Sequence, residues 1–312
     1  MSVPHGALGP GREFDVIRSL VDRWGAAAVG IGDDAAFIRV PRGETLLASV
    51  DANVENIHFR RDWLTPEEIG YRAATAALSD LAAMAARPLG MLLSLTVPES
   101  WMADLGRVAD GIGEAATRYQ SPILGGNLAS ALELTITTTV LGASFAPLTR
   151  SAARPGDLVY VTGKLGGPGA ALARFQRDGL AGEGRPRFAK PVARLNEAQW
   201  LADRGVTAAI DISDGLVADL RHVAAASNVH IEIVTDAIPL FPSATLANAL
   251  QDGDEYELAL TSPVAIDAEE FALRFGVPLT RIGRVVGGPP TVEVLGEGAR
   301  VADAKGYDHF SR

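Results

Sequence analysis

The alternation of apolar and polar positions along the 312-residue chain divides it into a mixed series of helices and strands. Helical spacing predicts a helix over about residues 13–24, and a strand follows in "ETLLASVD", ending at Asp51. The next helix has a start signal in "TPEEIG": Thr65 as N-cap, Pro66 in the first turn and Glu68 placed to close a capping box. It is expected to run to about Ala86, where Arg87 and Pro88 stop it. A strand in "MLLSLTV", a helix from about Ser100 to Tyr119 and a strand in "LELTITTTVLGASF" complete a first half. The Pro- and Gly-bearing stretch "APLTRSAARPGD" marks a boundary, placing one domain at residues 1–148 and another at 149–312. Beyond it come strand "LVYVTG", a helix from Gly169, a polar loop over residues 177–191, strand "TAAIDIS" and helix "DGLVADLRHVAAAS". Strands "HIEIV", "EYELALTS", "LTRIGRVV" and "TVEVL" close the series. Helices and strands mix without strict alternation, so both halves read as α+β.

Composition narrows the chemistry. At 47% hydrophobic the chain can bury a large core, and the absence of cysteine excludes disulfides, thiolate metal sites and cysteine nucleophiles. A net charge of -10 argues against binding to nucleic acid or anionic membranes, which demand clustered Lys and Arg. No secretory signal pattern or long apolar run is seen, so the expected address is the cytoplasm. The five histidines are scattered, "TGKLGGPG" lacks P-loop spacing, and no nucleophile elbow occurs. Aromatics are only 6%, which disfavours a carbohydrate cleft as the use of the many carboxylates.

Those carboxylates recur at special places. Asp33 and Asp34 sit together in "VGIGDDAAFI", where a turn is the plain reading; Asp51 ends a strand, by design for a ligand or simply to begin a loop. Asp80 falls among Ala, Leu and Met on the buried stripe of its helix, an expensive position for a charge unless it is paired or metal-bound. In "AIDISDGLVADL", Asp211 ends a strand while Ser213 and Asp214 stand where an N-cap belongs; the helix terminus there also suits a phosphate. "GGNL" at residues 125–128 reads locally as a tight turn. Two unit charges 4 Å apart repel by about 4 kcal/mol at an effective dielectric near 20. Convergence of such acids therefore requires cations, and oxygen-only ligands select Mg²⁺ or a similar hard ion.

The ordered series "GIGDDAA", "SVDANVENIHF", "LSDLAAM", "GGN", "LTRSAARPGD", "IDISDGLVADL", "DEYEL" and "KGYDHF" resembles the thiamine-monophosphate kinase family. That family is part of the aminoimidazole ribonucleotide synthetase-like group. The resemblance implies a two-domain α+β architecture. Its N-terminal α/β domain binds metal and ATP and pairs across a homodimer sheet, and its C-terminal α+β domain completes the active site. It implies transfer of the γ-phosphoryl of ATP to thiamine monophosphate with several Mg²⁺ ions, and no covalent nucleophile. By the same resemblance Asp34, Ser49, Asp51, Asp80, Asp211 and Asp214 correspond to metal ligands. Gly126, Asn127, Arg150 and Ser213 correspond to ATP contacts, and His58, Asp254 and Tyr307 to substrate contacts.

Three positions depart from the family pattern. Asn127 replaces an aspartate, Val50 replaces a threonine, and Asp254 in "DGDEYEL" replaces a longer glutamate. Loss of an anionic ligand and a hydroxyl is expected to weaken at least one metal site. Two other readings follow: a nucleotide-binding homologue with weakened catalysis, or another ATP-dependent synthetase of the same group.

Overall fold

The computed structural model describes residues 5, 11–179 and 182–296. These divide into two compact units. The first comprises the described residues up to Leu81 together with Ala86–Ala146, and the second comprises Ala82–Ala85 and the described residues from Pro147 onward. Among the described residues no helix is long and apolar enough to cross a membrane.

The first unit contains α1 (Arg12–Trp24), β1 (Thr45–Val54), all but the last two residues of α2 (Pro66–Ala83), β2 (Arg87–Val97), α3 (Leu105–Arg118), β3 (Ile123–Ser130) and β4 (Thr135–Ser144). The strands form one sheet in the order β1-β4-β2-β3, in which only β2 and β3 run parallel. The capping box at Thr65 forms as its sequence requires: Glu68 N–H donates to Thr65 Oγ1, and Thr65 N–H donates back to Glu68 Oε2 at 2.9 Å. Helix α2 then buries nearly every side chain and packs closely on α3, where a Cβ at Gly70 would lie 2.0 Å from the Val108 carbonyl oxygen. A Cβ at Gly111 would lie 1.8 Å from the Glu67 carbonyl oxygen, so no larger residue permits that approach. Arg87 and Pro88 begin a strand as well as ending a helix. A 3₁₀ turn at Glu99–Trp101 delays α3 to Leu105.

The second unit holds β5 (Leu158–Thr162), α4 (Gly167–Asp178), α5 (Arg185–Ala189), α6 (Leu195–Ala202), β6 (Ala208–Asp211), α7 (Leu216–Ser227), β7 (His230–Val234), α8 (Leu246–Gln251), β8 (Leu258–Ser262), α9 (Ala268–Phe275), β9 (Leu279–Val286) and β10 (Thr291–Leu295). Its six-stranded sheet has the order β10-β7-β9-β5-β8-β6. Alternate residues such as Ile231, Ile233, Val292 and Val294 join Leu216, Leu220 and Val223 of α7 in one apolar core. Trp200, Phe271 and Phe275 form a separate aromatic cluster with ring centroids 5.0–6.0 Å apart.

The largest departure from the expected elements is β3. "GGNL" is not a turn but the middle of a strand, with Gly126 paired to Leu93 and Asn127 to Ser94. The glycines serve the pairing, because a Cβ at Gly126 would lie 1.9 Å from the Leu93 carbonyl oxygen.

Candidate functional site

Strand alternation sorts the acids of the first unit. Asp51 stands opposite the buried Thr138, which in turn stands opposite the buried Leu93, so Asp51 and Ser49 face the helix-covered side of the sheet. There Ser49 Oγ donates to Asp80 Oδ2 from α2, and Asn53 Nδ2 donates to Asp51 Oδ2 at 3.2 Å. Ser49, Asp51 and Asp80 thus place side-chain oxygens on one face of the sheet, from a strand and a helix. The surrounding stripe of α2 is buried, as its alanines predict, while Asp80 itself is half-buried beneath Ser49.

Asp34 belongs to a second grouping. Val29 N–H donates to the Ile123 carbonyl at 2.9 Å, which draws the Gly30–Asp34 turn alongside β3. A cavity of about 890 Å³ lies there, and Asp33, Asp34, Gly126 and Asn127 all contribute to its lining. Ser49, Asp51 and Asp80 are not among its lining residues. Val50 pairs with Thr139, which pairs with Leu92, so it points to the same sheet face as Asn127, whose partner Ser94 is two residues from Leu92, and away from Ser49 and Asp51. The two departures at Val50 and Asn127 therefore fall on one face, and the Ser49–Asp51–Asp80 set keeps all its oxygens. His58 is half-buried in the loop after β1, its Nδ1 accepting from Val54 N–H at 3.1 Å. That bond puts the proton of the neutral ring on Nε2.

In the second unit Asp211 ends β6 and is only 4% exposed, with half-buried Ser213 and Asp214 just beyond. The sequence rule expects Ser213 or Asp214 to cap α7, and the structure corrects it. The N-cap is Gly215, which carries no side-chain cap; instead Asp219 of the first helical turn reaches back. Asp219 Oδ2 accepts from Ser213 N–H at 3.0 Å and from Asp214 N–H at 3.1 Å. Those amides are thereby taken and are not open to a phosphate. The carbonyl side of the turn is tied as firmly: Asp254 N–H donates to Ser213 O at 2.9 Å, and Tyr256 N–H to Ile212 O at 2.9 Å. Asp254, at φ 65°, also accepts from its own neighbour's phenol, Tyr256 Oη, at 3.1 Å. Arg150 is exposed, and its carbonyl accepts from Ser227 Oγ at 2.7 Å. Tyr307 lies outside the described residues.

Burial first, then the charges of Asp211 and Asp214, push the Asp219 carboxyl up to about 8, a sign of excess negative charge in a dry setting. Magnesium fits the donors present in both units, since all are carboxylate or hydroxyl oxygens. Among the described residues one His/Asp/Glu triad has ligand atoms within 4.8 Å of one another, namely His230, Glu232 and Glu293. It lies elsewhere on the second unit's sheet, and Glu232 already holds Arg284 at 2.7 Å. Behind the turn, Glu257 is fully buried between Arg194 and Arg187, and its carbonyl accepts from Ile212 N–H at 2.8 Å. Neither Asp219 nor this ion network stood out in the sequence. For Asp219 the signal was there: like Asp80, it is a charge on an apolar helical stripe.

Residues 32–144 match the family model "AIR synthase related protein, N-terminal domain", and residues 154–295 match the corresponding C-terminal domain. Thiamine-monophosphate kinase of Escherichia coli O157:H7 is 35% identical over 324 aligned residues, covering 96% of this chain and 98% of that protein. The chain belongs to the thiamine-monophosphate kinase family. The Bacillus subtilis (strain 168) thiamine-monophosphate kinase is similar at 31% identity over 96% of this chain and 99% of its own. Among solved structures of the family, that from Stenotrophomonas maltophilia K279a superposes with a TM-score of 0.80 at 32% identity, covering 89% of this chain and 96% of that one. A ThiL complexed with AMPPCP and TMP gives 0.77 at 30% identity, covering 96% and 97%. The family's two-domain α+β fold is the fold described above.

Proposed function

We propose that this protein catalyses ATP-dependent phosphorylation of thiamine monophosphate to thiamine diphosphate. The observation that carries the reading is the end-to-end similarity to thiamine-monophosphate kinases, one of them complexed with AMPPCP and TMP. The arrangement of residues supports it, since in-line phosphoryl transfer asks the protein for positioning and charge neutralisation rather than a covalent nucleophile. Asp34, Ser49, Asp51, Asp80, Asp211 and Asp214 are the proposed metal ligands. When bound, Mg²⁺ would neutralise the phosphate charges and help bind the nucleotide to an acidic chain. Gly126, Asn127, Arg150 and Ser213 are proposed to hold ATP, with the bare backbone at Gly126 allowing close approach. His58 and Asp254 are proposed to orient the thiamine substrate, and Tyr307 joins them by resemblance. ATP as donor makes the cytoplasm the proposed compartment.

Phosphorus NMR of the protein with ATP and thiamine monophosphate is expected to show thiamine diphosphate and ADP appearing together, with a steep Mg²⁺ dependence. Nucleotide binding without product would instead favour a catalytically weakened homologue, the reading that neutral Asn127 supports. We further propose a homodimer. Edge strand β1 leaves Leu46 and Val50 exposed at 47% and 63% on one face, the kind of apolar patch that a second copy covers. Sedimentation is expected to give about twice 32.7 kDa for the native chain, and Leu46→Asp is expected to shift it to monomer. A native mass of one chain would overturn the homodimer.

A further inference from the structure

We propose that Asp219 is a positioning residue of the phosphoryl-transfer site, its carboxylate oxygen setting the peptide planes that aim Ser213 and Asp214. The inference rests on the role given above to that turn. It starts from an oddity of α7. Leu216, Val217, Leu220, Val223 and Ala224 form the buried stripe, and Asp219 lies within it at 2% exposure. A buried carboxylate is costly, and an apolar residue would serve the helix better at that position. The helix does not need it as a cap in the usual sense, because the N-cap is Gly215 and α7 already closes its first turn with Asp219 N–H donating to Gly215 O at 2.9 Å.

What the carboxylate secures is the turn before the helix. One oxygen, Oδ2, accepts both amides, from Ser213 at 3.0 Å and Asp214 at 3.1 Å. On the other side the turn is fixed by Asp254 and Tyr256 amides and by Gly253, where a Cβ would lie 1.9 Å from Ser213 O. With amides and carbonyls both held, the peptide planes cannot rotate, and the Cα–Cβ directions of Ser213 and Asp214 follow from them. Residues supporting metal or phosphate contacts in this way affect affinity about 10–100-fold when removed.

Two substitutions separate geometry from ionisation. Asp219→Asn keeps an oxygen able to accept both amides and removes the ionisable group; Asp219→Ala removes both. Hydrogen exchange on the full-length, ligand-free protein is the first measurement. The Ser213 and Asp214 amides are expected to lose at least about tenfold protection in Asp219→Ala and to stay within about threefold of wild type in Asp219→Asn, with Leu220 and Val223 unchanged. Calorimetry of Mg²⁺ with AMPPCP is the second, with affinity expected to fall about 10–100-fold for alanine and much less for asparagine. Equal losses in both variants would assign the effect to the ionisable group rather than to the acceptor oxygen and overturn the proposal, as would retained protection in Asp219→Ala. If the alanine variant does not fold, asparagine decides: exposed Ser213 and Asp214 amides in it overturn the proposal, and protected ones support it. Because exchange is read without substrate, failure of wild type to make thiamine diphosphate would count against the proposed reaction and not against Asp219.

Discussion

Replacing Arg194 with methionine is expected to cost about 3–5 kcal/mol of stability at pH 7, because it strips a fully buried carboxylate of its principal partner. Arg194 grips Glu257 with two bonds, Nε to Oε2 at 2.7 Å and a terminal nitrogen to Oε1 at 2.5 Å. Arg187 and the Thr162 hydroxyl add bonds of 2.7 Å and 2.6 Å. Burial alone would raise the Glu257 pKa, yet the guanidinium groups of Arg194 and Arg187 hold it down to about 2. A folded value below the ordinary 4.5 means that this stabilisation is full above about pH 4.5 and is lost as pH falls toward 2. The gap between wild type and Arg194→Met should therefore close through that window, as measured by urea unfolding at stepped pH. Neighbouring Glu255 has the opposite sign: burial lifts it to about 8 against the pull of Arg187, so its penalty grows as pH rises from 4.5 toward 8 and does not explain an acid-limb effect. A loss below about 1 kcal/mol at pH 7 would show that Arg187 suffices. The network reaches the proposed site through the Glu257 carbonyl, which accepts from Ile212 N–H beside Asp211.

How much of this was legible in the sequence depends on whether the signal was local. The capping box of α2 and its buried alanine stripe involve residues within a few turns, and they were readable, as was the unusual placement of Asp80. The strand character of Gly125–Leu128 was not, because what demands glycine at position 126 is the Leu93 carbonyl of a strand distant in sequence. The Arg194–Glu257 pair spans 63 positions and carries no motif. Helices α5, α6, α8 and α9 also went unanticipated; α5 and α8 have only five and six residues, too few to show a period. The turn at Ser213 misled for a physical reason: Ser and Asp are good caps, but here their amides are satisfied by a carboxylate from inside the helix. The assignment of roles to Asp34, Asp51 or His58 came from the order of motifs along the whole chain. The fold then adds that Asp34 joins Asn127 beside one cavity while Asp51 joins Ser49 and Asp80 on the helix-covered face.

That separation makes Asp80→Asn the sharpest catalytic test, with an expected fall in kcat of about 10³-fold or more, the scale on which phosphoryl transfer depends on a single charge-stabilising element. The substitution keeps volume and leaves an oxygen to accept the Ser49 hydroxyl, so the hydrogen bond that orients the group survives. What disappears is a negative charge held rigidly between a buried helix and a strand, where its position cannot readjust to recover a lost ligand. The Mg²⁺ concentration for half-maximal rate should rise, while the melting temperature of the ligand-free variant should hold or increase, since an anion is removed from partial burial. Activity within about threefold of wild type at saturating Mg²⁺ would place the essential cations elsewhere, with the cavity beside Asp34 as the remaining candidate of this unit. Ser49→Ala is the companion measurement: it deletes a neutral oxygen and keeps the charge, so a loss smaller than that of Asp80→Asn is what a site governed by charge neutralisation requires.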